Sequence, residues 1–145
     1  MVYFEDGKVV GIVVEVSLSG VKLEIKVGGT IHNYCNVKFV GGKHFSKPIV
    51  TKDDITDVAT ISQQIPIDFI SIPFISGPED IVHIKKLLGP NAGNLKVIAK
   101  IDTKEGVSTF SKILDFADGA IFVRNEIQWE MVPEKLVLAQ KYAIE

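Results

Sequence analysis

The sequence has very little cysteine, since Cys35 is the only one among 145 residues. A single cysteine cannot form a disulfide within the chain, which excludes a disulfide-stabilised scaffold. A metal site built on thiolates is excluded as well, because such sites need several Cys or His ligands close together. The histidines, His32, His44 and His83, lie far apart and show no metal-site spacing. These features fit a reducing compartment, and we expect the protein in the cytoplasm.

An excess of charge of either sign is also lacking. Sixteen lysine and arginine residues stand against eighteen aspartate and glutamate residues, giving a net charge of −2. No basic cluster is evident, so we expect no nucleic-acid partner. The longest apolar runs fall far short of a membrane span, and the N-terminus shows no signal-peptide pattern, so we expect no membrane association. Hydrophobic residues make up 46% and charged residues 23%, as in an ordinary globular domain.

Residues 1–47 read as a β-rich segment. Val9 to Val16 is rich in β-branched residues, and Val21 to Val27 alternates strictly between apolar and polar side chains. Ile31 to Val40 is a further predicted strand. Turn signals separate these runs: Asp6-Gly7, Ser19-Gly20 and Gly28-Gly29. The pattern predicts a short antiparallel meander with one wet face, and the residues Gly41-Gly42-Lys43-His44 are typical of a linker.

Residues 48–145 repeat a strand-then-helix unit. Apolar runs begin near Phe69, Leu95 and Ala120, at a spacing of 26 and then 25 residues. Predicted helices cover Thr51–Ile65, the segment opened by Gly77-Pro78-Glu79 and stopped by Gly89-Pro90, Glu105–Phe116, and Pro133–Glu145. Alternating strands and helices imply right-handed crossovers and a parallel sheet. The expected fold class is therefore α/β, with about three parallel strands after an antiparallel β segment.

Three parallel strands do not close into a barrel. Both edge strands would expose unpaired backbone beside apolar side chains, which favours association with another chain. The last predicted helix also reaches Glu145 without a glycine cap. We therefore expect either a piece of a larger α/β protein or a chain that pairs with itself or with another protein.

The segment Lys100-Ile101-Asp102 closes an apolar run and is followed at once by a helical pattern. Alternation along a strand directs Lys100 and Asp102 to the same side. An ammonium and a carboxylate at the carboxyl end of a buried parallel strand occupy the place where α/β proteins put phosphate and metal chemistry. An ordinary surface ion pair at a strand end is the alternative.

The order of several motifs resembles the pyruvate kinase family. The similar segments are Pro48 to Asp54, Phe74-Ile75 with Glu79-Asp80, Lys100-Ile101-Asp102, Glu105-Gly106-Val107, Asp118-Gly119, Arg124, and the helix containing Glu134-Lys135 and Leu138-Ala139-Gln140-Lys141. Residues 1–47 look like the later half of the family's inserted β domain. The resemblance implies that residues 48–145 form a partial TIM barrel, roughly its fourth to sixth strands.

The resemblance also implies a function, which is transfer of a phosphoryl group from phosphoenolpyruvate to ADP in glycolysis, giving pyruvate and ATP, with Mg²⁺ and K⁺. Lys100 would neutralise charge on the transferring group, and Asp102 and Glu126 would hold Mg²⁺. Asn125 would lie beside substrate together with Lys100 and Glu126. The family's K⁺ ligands lie outside this chain, as do its substrate-gripping arginine and proton-relay threonine.

Five positions depart from the family's pattern. Asp102 replaces glutamate and Glu126 replaces aspartate, so the two metal carboxylates are exchanged in length. Asn125 and Gln128 stand where the family has glycines, and Ser76 stands where it has a basic residue. Glycines let a backbone approach a ligand closely, so side chains at these places alter the substrate site.

Two functions follow as alternatives. The chain is either a segment of a pyruvate kinase-like enzyme, inactive by itself because much of the barrel is absent, or a diverged, non-catalytic relative that assembles with a complete homologue. Retention of Lys100 with two carboxylates favours the first. Loss of both glycines and of the basic residue favours the second. A third possibility is that the sequence is part of a longer reading frame.

Overall fold

The structure is a computed structural model that describes residues 1–40, 49–89 and 95–145. The chain divides into two compact units, Met1–Phe45 and Ser46–Glu145. One unit holds an antiparallel sheet and the other a parallel sheet with helices, so the predicted mixed α/β class is confirmed. No helix in the described part of the chain has the length and apolarity needed to cross a membrane.

The first unit is a four-stranded antiparallel sheet with the strand order β3-β2-β1-β4. Its strands are β1 (Val2–Phe4), β2 (Val9–Ser17), β3 (Gly20–Val27) and β4 (Val37–Phe39). A 3-10 turn, Glu5–Gly7, joins β1 to β2, and both Glu5 and Asp6 there have positive φ. The sequence prediction located β2 and β3 but missed β1, which is too short to show an alternating pattern.

The predicted strand Ile31 to Val40 is largely wrong, since only Val37–Phe39 joins the sheet. Two features keep the preceding residues out of a ladder. The backbone amide of His32 donates to the Glu5 carboxylate at 2.8 Å, and Tyr34 has φ +62°, which no strand residue adopts. The predicted linker from Gly41 to His44 lies outside the described residues.

The β2–β3 ribbon carries an apolar face. Cross-strand partners include Val16 with Val21 and Val13 with Leu23. The register shifts between Val13 and Glu15, and Glu15 then lies opposite Lys22. Most of these apolar side chains are exposed within the described residues.

The second unit is a three-stranded parallel sheet with the order β5-β6-β7. The strands are β5 (Phe69–Ile72), β6 (Lys96–Ile101) and β7 (Gly119–Phe122). The helices are α1 (Lys52–Gln64), α2 (Pro78–Leu88), α3 (Lys104–Ser108), α4 (Phe110–Leu114), α5 (Arg124–Ile127) and α6 (Pro133–Ile144). The alternation of strands and helices predicted from the 26- and 25-residue spacing is confirmed.

One predicted helix is divided. The pattern from Glu105 to Phe116 predicts a single helix, but Thr109 has φ −106° and ψ 9°, which separates α3 from α4. The Thr109 hydroxyl donates to the Ser76 carbonyl at 2.6 Å. This contact with the preceding strand-helix unit coincides with the helix break, and sequence periodicity cannot report it.

The core of the second unit lies on one face of its sheet. Val97, Ala99 and Ile101 alternate along β6 and are buried against helices, including Ile84 of α2 and Ile113 of α4. Burying each large aliphatic side chain contributes about 1.5–3 kcal/mol. The opposite face, within the described residues, leaves Phe69 65% and Ile121 46% exposed.

Candidate functional site

The carboxyl ends of β5, β6 and β7 lie at one edge of the parallel sheet. The Val123 amide donates to the Ile101 carbonyl at 2.9 Å, which continues the β6–β7 ladder one residue past β7. Asp102 follows Ile101 directly, and Glu126 lies in α5 immediately beyond Val123. The topology therefore brings both predicted metal carboxylates to the same edge.

Lys100 lies on the open face of the sheet. It occupies β6 opposite Ile121 of β7, and its alternation with the buried residues Ala99 and Ile101 directs its side chain away from the helices. Lys100 is half-buried. The predicted catalytic ammonium is thus presented on the side of the sheet that a closed barrel would enclose.

Asp102 is a buried carboxylate, with 4% of its surface exposed. Its two oxygens accept the backbone amide of Phe74 at 2.9 and 3.1 Å. Phe74 follows β5 and has φ +58°, an uncommon conformation for an aromatic residue. Sequence reasoning assigned Asp102 to metal binding and missed this bond, because the partner is a backbone group 28 residues away.

The junction from β6 to α3 is tightly packed. The Thr103 hydroxyl caps α3 by accepting the Gly106 amide at 3.0 Å. A Cβ on Gly106 would lie 2.5 Å from the Ile75 carbonyl oxygen, closer than real Cβ atoms approach. The glycine in Glu105-Gly106-Val107 is therefore required by the close approach of two backbones.

The short helix α5 carries the remaining predicted site residues. Asn125 is exposed and Glu126 is half-buried, while the fully buried Ile127 anchors the helix to the core. The Gln128 side-chain amide donates to the Asn125 carbonyl at 2.9 Å. The two residues that the family resemblance places at glycine positions are thus joined in one turn beside Glu126.

Glu130 contributes a further link at this edge that the sequence did not indicate. Its carboxylate accepts the Lys104 backbone amide at 2.8 Å, at the start of α3. This bond ties the segment after β7 to the segment after β6, and it supports the arrangement in which Asp102 and Glu126 share an edge.

The donor set matches Mg²⁺ in chemistry. Mg²⁺ favours one or two protein carboxylates and takes its other ligands from water and substrate oxygens. Asp102 and Glu126 supply two carboxylates. Within residues 1–40, 49–89 and 95–145, no three His, Cys, Asp or Glu side chains form a metal-binding group.

At the opposite edge of the sheet, Asp118 joins three elements. Its carboxylate accepts the Val97 amide at 2.9 Å and lies 3.1 Å from the Lys85 ammonium and 3.7 Å from that of Lys96. The Val97 amide, followed by Lys85, holds the pKa of the Asp118 carboxyl below its usual range. Asp118 therefore stabilises the amino edge and is remote in topology from the carboxyl-edge residues.

A parallel β/α sheet with charged side chains at the carboxyl ends of its strands belongs to the α/β class, whose members form either open sheets or closed barrels. Comparison with known proteins identifies which one. The family model described as "Pyruvate kinase, barrel domain" matches residues 1–145. The chain belongs to the pyruvate kinase family.

Individual relatives agree with that assignment. The chain is 32% identical to pyruvate kinase of Eimeria tenella over 139 residues, which cover 96% of this chain and 26% of that protein. It is 29% identical to pyruvate kinase PKLR of Rattus norvegicus over 143 residues, or 99% and 25% of the two chains. It is 34% identical to the cytosolic pyruvate kinase isozyme of Glycine max over 97 residues, or 67% and 19%. The chain spans about a quarter of the length of the first two relatives.

Proposed function

We propose that this chain is the segment of a pyruvate kinase-like protein that supplies positive charge and carboxylates for phosphoryl transfer from phosphoenolpyruvate to ADP in glycolysis. The observation that carries the proposal is the placement of Lys100, Asp102 and Glu126 at the carboxyl edge of one parallel sheet. The names of the relatives support the reaction class, and that of the Glycine max protein supports a cytoplasmic location.

Each residue has a role that its chemistry allows. The Lys100 ammonium would offset negative charge that develops on the transferring phosphoryl group and the enolate, an effect worth about 3–4 kcal/mol for one well-placed donor. Asp102 and Glu126 would hold Mg²⁺, which supplies further positive charge when bound. Asn125, exposed on α5, would contact substrate beside Glu126.

We expect the 145-residue chain by itself to be catalytically inactive. Its described residues form three parallel strands, whereas a site of this class is assembled from the ends of many strands of a closed eight-stranded barrel. We expect no ADP-dependent pyruvate formation from the purified chain. Turnover that disappears in Lys100→Met, with Lys112→Met as the matched control, would contradict this expectation and would show that the segment is sufficient.

The second candidate is a non-catalytic role in assembly. It is favoured by the two outer strands, because β5 and β7 each have one neighbour in the described sheet and so present an unpaired edge. We expect the chain to self-associate or to bind a complete homologue. Sedimentation at micromolar concentration tests this, and a monomer that also fails to co-sediment with a complete pyruvate kinase would reject the candidate.

A further inference from the structure

The segment after β5 is held in place by polar contacts from neighbouring elements. The Ser76 and Gly77 amides both donate to the Asp80 carboxylate, at 2.8 and 3.1 Å. The Ser76 carbonyl accepts the Thr109 hydroxyl at 2.6 Å. This segment, Phe74–Gly77, therefore has partners both in the helix that follows it and in the next strand-helix unit.

Phe74 is the strained member of the segment. Its φ of +58° is unfavourable for a bulky side chain, and the residue is 54% exposed. A strained residue persists only where its surroundings over-determine its conformation. The bond from the Phe74 amide to the Asp102 carboxylate is one contact that meets this requirement.

The length of the Asp102 side chain suits this bond. Neighbouring strands lie about 4.8 Å apart, and an aspartate at the end of one strand reaches a backbone amide just past the end of the next. A glutamate, which the family resemblance places at this position, carries the carboxylate one methylene further out. The bond is charge-assisted and buried, which makes it stronger than a bond between neutral groups.

We infer that Asp102 is a positioning residue that fixes the Phe74–Gly77 segment against the end of β6. Through this bond the carboxyl ends of β5 and β6 form one rigid edge beside Lys100. The inference deepens the proposed function and rests on it for the statement that this edge of the sheet serves phosphoryl transfer. The hydrogen bond itself requires no metal ion.

Hydrogen exchange of the Phe74 amide in the full chain, without divalent cations, tests the inference. We expect Asp102→Ala to speed this exchange about tenfold, which corresponds to loss of one charge-assisted hydrogen bond. Asp102→Asn keeps an acceptor oxygen and should restore much of the protection. Asp57→Asn, at an exposed position of α1, is the control and should leave the Phe74 rate unchanged.

The result that overturns the inference is an equal Phe74 rate in the wild-type chain and in both Asp102 variants. If Asp102→Ala fails to fold, Asp102→Asn and Asp102→Glu are compared instead. Slow exchange of the Phe74 amide in Asp102→Asn with fast exchange in Asp102→Glu supports the inference. Equal exchange rates in these two variants reject it. Mg²⁺ titration of the same samples separates the two proposals. A chain that binds no Mg²⁺ but shows Asp102-dependent exchange keeps the positioning role and loses the metal site. A chain that binds Mg²⁺ but whose Phe74 amide exchanges at the same rate in all Asp102 variants keeps the metal site and loses the positioning role.

Discussion

The ammonium of Lys85 lies 3.1 Å from the carboxylate of Asp118 and also donates to the Phe116 carbonyl at 2.7 Å. These contacts join α2 to the loop before β7, and the Val97 amide adds β6 to the same carboxylate. The parallel sheet is thus held at its amino edge by Asp118, while Asp102 at its carboxyl edge accepts the amide of Phe74, just after β5. We expect substitution of Asp118 to change the stability of the second unit and substitution of Asp102 to change the protection of the Phe74 amide.

Asp118→Asn should lower the stability of the second unit by about 1 kcal/mol at neutral pH, since it weakens a charged contact that solvent partly screens. The pKa of Asp118 is lowered in the folded chain, so its stabilising effect is present above the unfolded pKa of about 3.9 and is lost as pH falls through the folded value. Urea unfolding of both proteins from pH 7 to pH 2 measures this. The difference should shrink at acid pH, whereas a constant difference would reject the electrostatic explanation. Asp115→Asn, at an exposed neighbouring position, is the control.

Gly106→Ala should destabilise the second unit by about 1–3 kcal/mol, because the new methyl group would overlap the Ile75 carbonyl and the backbone would have to move. The matched control is Gly77→Ala. There the nearest atom, 2.6 Å from the added Cβ, is the end of the flexible Glu79 side chain, which can rotate away. Thermal unfolding measures the stability of the two variants. Equal losses of stability would show that the close approach of Gly106 to the Ile75 carbonyl has no special cost for a side chain.

Thr51→Ala should cost about 1 kcal/mol through loss of the α1 cap. The Thr51 hydroxyl accepts the Asp54 amide at 3.2 Å, and the Asp54 carboxylate accepts the Thr51 amide at 2.7 Å, which completes a capping box. Thr56→Ala is the control, because that hydroxyl donates to the Lys52 carbonyl inside the helix and alanine has the higher helix propensity. Urea denaturation measures the free energy of unfolding of both variants. Equal losses of stability would show that the Thr51 cap does not stabilise the helix.

Glu126→Gln should weaken any Mg²⁺ binding by about tenfold or more, since it removes one of two charged ligands. Asp102→Ala should weaken binding as strongly. Titration calorimetry on the chain measures both, with Glu134→Gln on the exposed surface of α6 as the control. Affinities equal to that of the unaltered chain would remove these residues from the metal site.

Local sequence patterns predicted much of the fold. The apolar runs near Phe69, Leu95 and Ala120 became β5, β6 and β7, because alternation and turn residues act over a few positions. The Thr51 cap and the Pro133 start of α6 were also readable from neighbouring residues. The patterns failed at Ile31 to Val40, where the His32 amide bonds to the Glu5 carboxylate, and at the α3–α4 break, where the Thr109 hydroxyl bonds to the Ser76 carbonyl.

The candidate site divides in the same way. The sequence by itself determined which residue types end the strands, and the order of its motifs indicated the family, so Lys100, Asp102 and Glu126 could be proposed as site residues from the sequence. Only the tertiary structure decided that Asp102 bonds to Phe74 and Asp118 to Lys85. Such partners lie about thirty positions apart along the chain. Asp102 meets Phe74 because β6 pairs with β5 at the usual strand spacing of about 4.8 Å, and Asp118 meets Lys85 because α2 packs beside the sheet. The positions of these residues in the sequence do not by themselves predict the contacts.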